Sequence, residues 1–425
     1  MRSHTLLLAA LTLMTAACDE KDDSSSFTPS SNLDCLEATP VNVSGADDAT
    51  LDALCEGGAV TIDGDLDYVD AVDMNRFACA CEVSGTLTIQ GSTGLSGLSN
   101  LQRVGALTVA DNPELVTLNG LQQLTEITGA LTVRDNGIQS LAGLENLTTV
   151  SAVDLSGNTA LEDYSALSGL TASPGALTLS GHVGASLPDF MDGMLLEGSV
   201  SVSACETLTS LTGLTVSPDM TGDLSLSNLP LLTDLSALES LATVGGSLAL
   251  SQVDTLTSLS SLAALTAVGG DLSIEAAPLL PDLSGLEALT GVGGVLSLSS
   301  ADLIVDLTGL TGLTSTGGIA LHDNPVLYNL EGADLDTISG GATFAGNTLL
   351  RSLDGLESVG SLGALEITDN AVIWRLDALQ GLSGIDGAVT ITNNPQLSDD
   401  EINALLDAVG EFNIGGDVTV EGNGG

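Results

Sequence analysis

Residues Gly105 to Ile127 read GALTVADNPELVTLNGLQQLTEI, and the same sentence returns with small changes down most of the chain. Its pattern is G-x-L-x-(L/I/V)-x-x-N-x-x-L-x-x-L-x-G-L-x-x-L-x-x-V-x-G. The apolar pair Leu107/Val109 recurs as Leu131/Val133, Val153/Leu155, Leu177/Leu179, Val200/Val202 and so on to Val389/Ile391, at a period of 22 to 24 residues. A fixed period in this range belongs to a stack of equivalent coils rather than to a globule built around one pocket. Such a sequence specifies a scaffold; it does not name a ligand.

Within the unit, Leu107-Thr108-Val109 alternates apolar, polar and apolar, as a short strand with one buried face does. The later apolar residues, Leu115, Leu118, Leu121, Leu124 and Ile127, come every third residue, which suits the inward corners of a coil better than a long helix. One unit of this size cannot bury enough apolar surface to offset the entropy of ordering it, so the copies must stack and share an interior.

The run L-x-(L/I)-x-x-N-x-x-L-x-x-L-x-G-L resembles the leucine-rich repeat superfamily. The V-G-G-x-L-x-(L/I) junctions at Val244–Leu250, Val268–Ile274 and Val292–Leu298 are more similar to its receptor L-domain branch. The resemblance implies a mainly β chain, a right-handed parallel β-solenoid of about 13 to 14 rungs, and in function a tendency toward partner recognition.

Domain organisation follows from breaks in the repeat. Residues 1–17, with Arg2, an apolar run from Leu6 to Met14 and small residues before Cys18, read as an export signal too short to span a membrane. The Cys after small residues resembles a bacterial lipobox, with Cys18 as the lipidated thiol; Thr15 departs from the usual Leu, and ordinary cleavage after Ala17 with secretion is the alternative. Residues 18–32 are acidic and Ser-rich and read as a flexible tether. Residues 33–84 form an irregular N-terminal cap with a helix near Asp48–Leu54 and a strand at Val60–Ile62. The cap holds Cys35, Cys55, Cys79 and Cys81, an even number in an exported chain, which favours two disulfides over a metal site. Cys79 and Cys81 are too close to pair comfortably with each other; which of them meets Cys35 and which Cys55 is open. Residues 85–397 are the solenoid, departing most from consensus at Gly181–Glu197, where a loop is expected. Residues 398–425 close it, with Ser398 capping an acidic first turn and Ile402, Leu405, Leu406 and Val409 forming an apolar helix face, followed by a strand at Val418–Val420.

The slot five residues after Leu107 is Asn112, then Asn136 and Asn158, and late in the chain Asn324, Asn347, Asn370 and Asn394. Between them stand His182, Cys205, Leu229, Val253, Ala277 and Ala301, so a ladder of buried amides is interrupted and Cys205 is expected to be a buried free thiol. The central rungs must satisfy their backbone otherwise, or be the softer part of the rod.

Composition excludes whole classes of function. The chain has 7 basic residues against 56 acidic ones, a formal charge of −49, so nucleic acid is not a partner. Dispersed surface acids serve solubility more often than cation capture. His182 and His322 lie many rungs apart, no Ser/His/Asp set, zinc spacing or phosphate loop is present, and the Gly-Gly pairs recur with the period and are corners, so no enzyme is expected.

Two surfaces remain. The outward strand residues, from Thr88, Thr108 and Thr132 to Thr390 and Thr419, form a flat column of small polar side chains, an ordinary solvated face that an ice or mineral surface would also fit. In the late rungs Tyr328, Arg351 and Trp374 share one repeat position, with Arg375 beside them, and become the candidate binding patch. Arg351 between the two rings would make a cation–π staple, and the same residue types dominate binding hot spots. Glu331, Asp354 and Asp377 stack alongside and repel, so Arg351, Arg375 or a bound divalent cation such as Ca2+ must offset them; beyond that cation no cofactor is expected. The resulting expectation is a non-catalytic recognition or adhesion scaffold at a bacterial outer membrane or cell surface, meeting a protein or glycan and touching the membrane through its lipid anchor only. A purely structural spacer is the alternative, with ice or mineral binding behind it.

Overall fold

The computed structural model describes residues 34–44, 48–69, 74–188, 194–333 and 335–425. The expected export signal, Cys18 and the tether lie outside the described residues. The described chain coils into a mainly β, parallel solenoid of about fifteen turns. This is slightly longer than the repeat count alone, because Leu66–Val69 and Val418–Glu421 join the same ladder at its two ends. Between them the outward residues pair rung to rung as the repeat dictates: Thr88 with Thr108, Thr108 with Thr132, and onward through Ser201, Ser225, Ala249, Ser273 and Ser297 to Glu366, Thr390 and Thr419.

The interior is what the leucine spacing requires. Leu107, Val109, Leu115, Leu118, Leu121, Leu124 and Ile127 are all buried. The three-residue interval arises from consecutive tight turns: Leu121 N donates to Leu118 O at 3.1 Å and Leu124 N to Leu121 O at 2.9 Å, a geometry that puts every third side chain on one side. Each strand ends in a sharp corner at the residue before the Asn slot, which takes a left-handed φ in rung after rung: Asp111 (57°), Asp135 (55°), Ala276 (50°), Asp323 (53°), Asp369 (56°) and Asn393 (58°). Asp and Asn tolerate that region, whereas Ala276 holds it at a cost.

The amide ladder is built as expected where Asn is present. Asn324 N and Nδ2 donate to Asn347 Oδ1 at 3.0 and 3.1 Å, Asn347 N donates to Asn370 Oδ1 at 3.0 Å, and each Nδ2 reaches a strand carbonyl of an earlier rung. It runs one member further than the repeat suggested: Asn394 N and Nδ2 both donate to Asn423 Oδ1 at 3.0 Å. In the interrupted middle the donor of the slot is met differently from rung to rung: Leu229 N donates to Gln252 O at 3.0 Å, and Ala301 N to Asn324 Oδ1 at 3.1 Å.

A second parallel ladder of very short strands, Thr243–Val244 on Ala267–Val268 and on to Gly291 and Ser315, runs beside the main one. The Gly-Gly pairs are the offset between the two ladders; the register shift between Val292 and Val295 falls on Gly293-Gly294.

The N-terminal cap contains the helix Asp48–Asp52 and two disulfides, Cys35–Cys81 and Cys55–Cys79, with Cα separations of 5.6 and 5.3 Å. At the far end, helix Asp399–Val409 starts at Ser398, whose hydroxyl accepts from Glu401 N, and buries Ile402, Leu405 and Val409. Within the stack, Leu307 N and Leu330 N donate to carbonyls of the following rung, Glu331 and Asp354. For Leu376 the helix supplies that acceptor, Glu401 Oε1 at 2.7 Å. Closure is partial, however, since all four residues of Val418–Glu421 are exposed. Around the expected loop, residues 189–193 lie outside the described set, and Leu195–Leu196 pairs with Thr215–Val216 in a small separate sheet.

Candidate functional site

The rung geometry brings the late-rung candidates together. Tyr328 N donates to Val305 O at 2.7 Å, Arg351 N to Tyr328 O at 2.9 Å and Trp374 N to Arg351 O at 3.1 Å, so the column is held by its own backbone ladder. Both rings face solvent, Tyr328 at 41% and Trp374 at 53% exposure. A Trp that is half exposed in a chain with so few aromatics is not serving the core.

The expected single staple of Arg351 between two aromatics is replaced by two separate pairs. The Arg351 guanidinium carbon lies 4.9 Å from the Tyr328 ring centre, whereas Trp374 is covered by its chain neighbour, the Arg375 carbon standing 5.5 Å from the ring centre. Arg375 is drawn there by the carboxylates: it forms an ion pair with Asp354 through Nη2 and sits 3.3 Å from Asp377 Oδ1 through Nε, off the hydrogen-bond axis. Desolvation pulls the Arg375 pKa down, but Asp354, then Asp377 and Glu357, outweigh it and raise the pKa. Asp354 and Asp377 are therefore offset by Arg375, and the Glu331 side chain stays in solvent beside them. Among the described residues no group of three His, Cys, Asp or Glu is placed to hold a metal ion. Among those residues Arg351 has no carboxylate within ion-pairing distance, so its guanidinium edge points to water while its face lies on Tyr328.

The periodicity hid one part of this surface. Val305 extends the Tyr328 column, and a parallel column two residues earlier exposes Leu279, Leu303 and Leu349. The signal was present as an apolar residue directly before the buried leucine, but in a leucine-rich repeat one more Leu beside another draws no attention.

The interrupted ladder contains a second polar cluster, remote from the first. His182 occupies the slot after Asn158; its Nε2 lies 2.8 Å from Ser186 O and its Nδ1 2.9 Å from Tyr164 Oη. A carbonyl only accepts, so Nε2 carries the proton and Nδ1 accepts from the tyrosine hydroxyl. Burial lowers the His182 pKa, and it raises those of Tyr164 and Cys205. All three are thereby held neutral. A cleft of about 270 Å³ opens beside them, lined by Glu162, Asp163 and Pro188 among others. Asp163 accepts from Ser165 and Ser140 and is held below the usual carboxylate range by those bonds. His182, Tyr164 and Asp163 are each tied to a structural partner, and Cys205, buried and free as expected, donates to Ser203 O at 3.1 Å.

No known protein family profile matches the chain, and no curated protein matches it. Among solved structures it is similar to a crystal structure of an internalin (inlF) from Listeria monocytogenes str. 4b F2365. The identity is 15%, the match covers 83% of this chain and 85% of that one, and the TM-score is 0.32. The in-register parallel strands, the buried leucines spaced by three and the amide ladder make the fold a mainly β, parallel solenoid.

Proposed function

We propose that the chain is a non-catalytic recognition or adhesion scaffold, displayed at a bacterial cell surface through a lipid on Cys18, with its binding site on the late rungs around Tyr328, Arg351, Trp374 and Arg375. The observation that carries this reading is the exposure of Trp374 and Tyr328, each with a guanidinium on its face, in a chain of only 2% aromatic residues and 7 basic ones. Trp, Tyr and Arg concentrate binding energy because they bury large, rigid and partly polar surfaces. Two disulfides in the N-terminal cap fit an oxidising compartment outside the cytosol.

Anchoring is tested by Cys18→Ser, which is expected to move the protein from the membrane fraction to the soluble one. A native protein already fully soluble would instead support secretion after cleavage at Ala17. The soluble variant then serves as a probe of protein and glycan arrays. Trp374→Ala is expected to weaken capture by the retained ligand about 30-fold, roughly 2 kcal/mol, with little change in melting. A lowered melting temperature with unchanged capture assigns Trp374 to a structural staple. Silence on both arrays favours the spacer reading.

A further inference from the structure

The late-rung face is wider than its aromatic column. Leu303, Leu349 and Val372 stand two residues before Val305, Arg351 and Trp374. Each such pair flanks one buried residue, Ile304, Leu350 or Ile373, and every member but the half-buried Val372 is exposed. Leu303 and Leu349 are each 46% exposed and Val305 is 52% exposed. Backbone bonds hold these rungs at strand spacing, and the band from Leu279 to Val372 therefore runs about 19 Å at ~4.8 Å per rung. Contiguous apolar strips of this extent, rimmed by charge, mark interaction surfaces. Here the rim is acidic: Asp302, Asp323 and Asp369 precede the band in the chain and are exposed, and Glu331 and Asp377 follow it and are exposed.

Resting on the recognition reading above, we infer that the occupant of this band is a protein surface with an apolar centre and a basic rim. The Leu and Val columns offer nothing to sugar hydroxyls, and one face of each aromatic ring is already taken by an arginine, which argues against a carbohydrate stacked along the rungs. The acidic rim and the charge of −49 attract cationic partners and repel anionic ones, while the apolar centre selects among cations those that also present leucine-like side chains.

Trp374 is the only tryptophan, so its emission reports occupancy of the band directly. The full chain is titrated with an amphipathic Leu/Lys helical peptide, a Ser/Lys peptide of equal charge, a Leu/Glu peptide and chitohexaose. The expected result is a saturable blue shift with the Leu/Lys peptide alone, at least tenfold weaker in the Leu303→Asp/Leu349→Asp variant, whose circular dichroism melt checks that the fold is intact. Equal curves for the Leu/Lys and Ser/Lys peptides overturn the inference in favour of charge alone. A saturable response to chitohexaose or the Leu/Glu peptide leaves the patch standing as a binding site and overturns the partner class. Unchanged Leu/Lys binding in the double variant removes the leucine column from the site. A silent Trp374 with every probe overturns the inference, and together with silent arrays it overturns the recognition reading as well.

Discussion

Asn347→Ala is expected to destabilise the late rungs by roughly 3–5 kcal/mol, from the unpaired groups it leaves in the interior. The Asn347 Oδ1 accepts from two donors of the preceding rung, Asn324 N at 3.0 Å and Asn324 Nδ2 at 3.1 Å, and its own Nδ2 donates to Leu321 O at 2.8 Å. Asn324 and Asn347 have no measurable exposure, so water cannot replace the lost partner without opening the stack. Each buried donor left unmet costs about 1–3 kcal/mol, and the substitution strands two. The expectation is sharpened by the middle of the rod, where the apolar Leu229, Val253 and Ala277 occupy the same slot and Leu229 N donates to a backbone carbonyl, Gln252 O, instead. What the substitution exposes is thus a local dependency, created by amides that lean on one another. Urea unfolding should be followed both by far-ultraviolet circular dichroism, which averages over all rungs, and by Trp374 emission. Trp374 lies in the rung of Asn370, next to the lesion, and nearest-neighbour stacks lose their ends separately. The Trp374 midpoint should fall well ahead of the dichroism midpoint. A loss under about 1 kcal/mol, no larger than that of the exposed Thr348→Ala, would remove the ladder as a source of stability.

Much of this architecture was legible because its determinants are local and repeated. Leu107-Thr108-Val109 declares a strand by alternation, the three-residue leucine interval declares tight corners, and Ser398 before Asp399-Asp400-Glu401 declares a helix start; all three appear where expected. The second ladder was not legible, because strands as short as Thr243–Val244 contain no alternation to read. Asn423 escaped because the C-terminal helix separates it from Asn394 by 29 residues, outside the period that found the other members. Disulfide connectivity escaped for a different reason: excluding Cys79–Cys81 still leaves two pairings, and only the fold selects Cys35–Cys81 with Cys55–Cys79. In the candidate site, register placed Tyr328, Arg351 and Trp374 in one column, but side-chain direction is not set by register. The pull of Asp354 and Asp377 on Arg375 decides which cation covers Trp374, and it is a contact between rungs that spacing alone does not order.

Gly269→Ala is the second large effect, expected to cost roughly 3 kcal/mol, the upper end of what overpacking does, because nothing near it can rotate away. The glycine pairs sit where the short ladder hands over to the main one, and there the first glycine of each pair, Gly245, Gly269 or Gly293, meets only backbone of the preceding rung. A Cβ on Gly269 would meet the carbonyl oxygen of Gly245 at 2.2 Å, and a Cβ on Gly293 would meet that of Gly269 at 2.1 Å. The obstacle is a rigid peptide plane held by its own bonds: Gly246 N donates to Gly222 O at 3.0 Å and, one residue earlier, Gly245 N to Met220 O at 2.7 Å. Backbone dihedrals are not the reason, since these glycines do not occupy the left-handed region; the requirement is for absence of a side chain. Relief would need the rungs to part, which breaks the hydrogen bonds of both ladders at one place and opens the leucine interior between them. Gly360→Ala provides the control within the same fold, because nothing lies within 4 Å of its Cβ position. That variant should match the parent or gain up to about 1 kcal/mol from a less flexible unfolded chain. Chemical unfolding of the two variants side by side decides the matter: coincident midpoints would mean that the glycine pairs tolerate a methyl group and that rung spacing at the junction is set by something other than backbone contact.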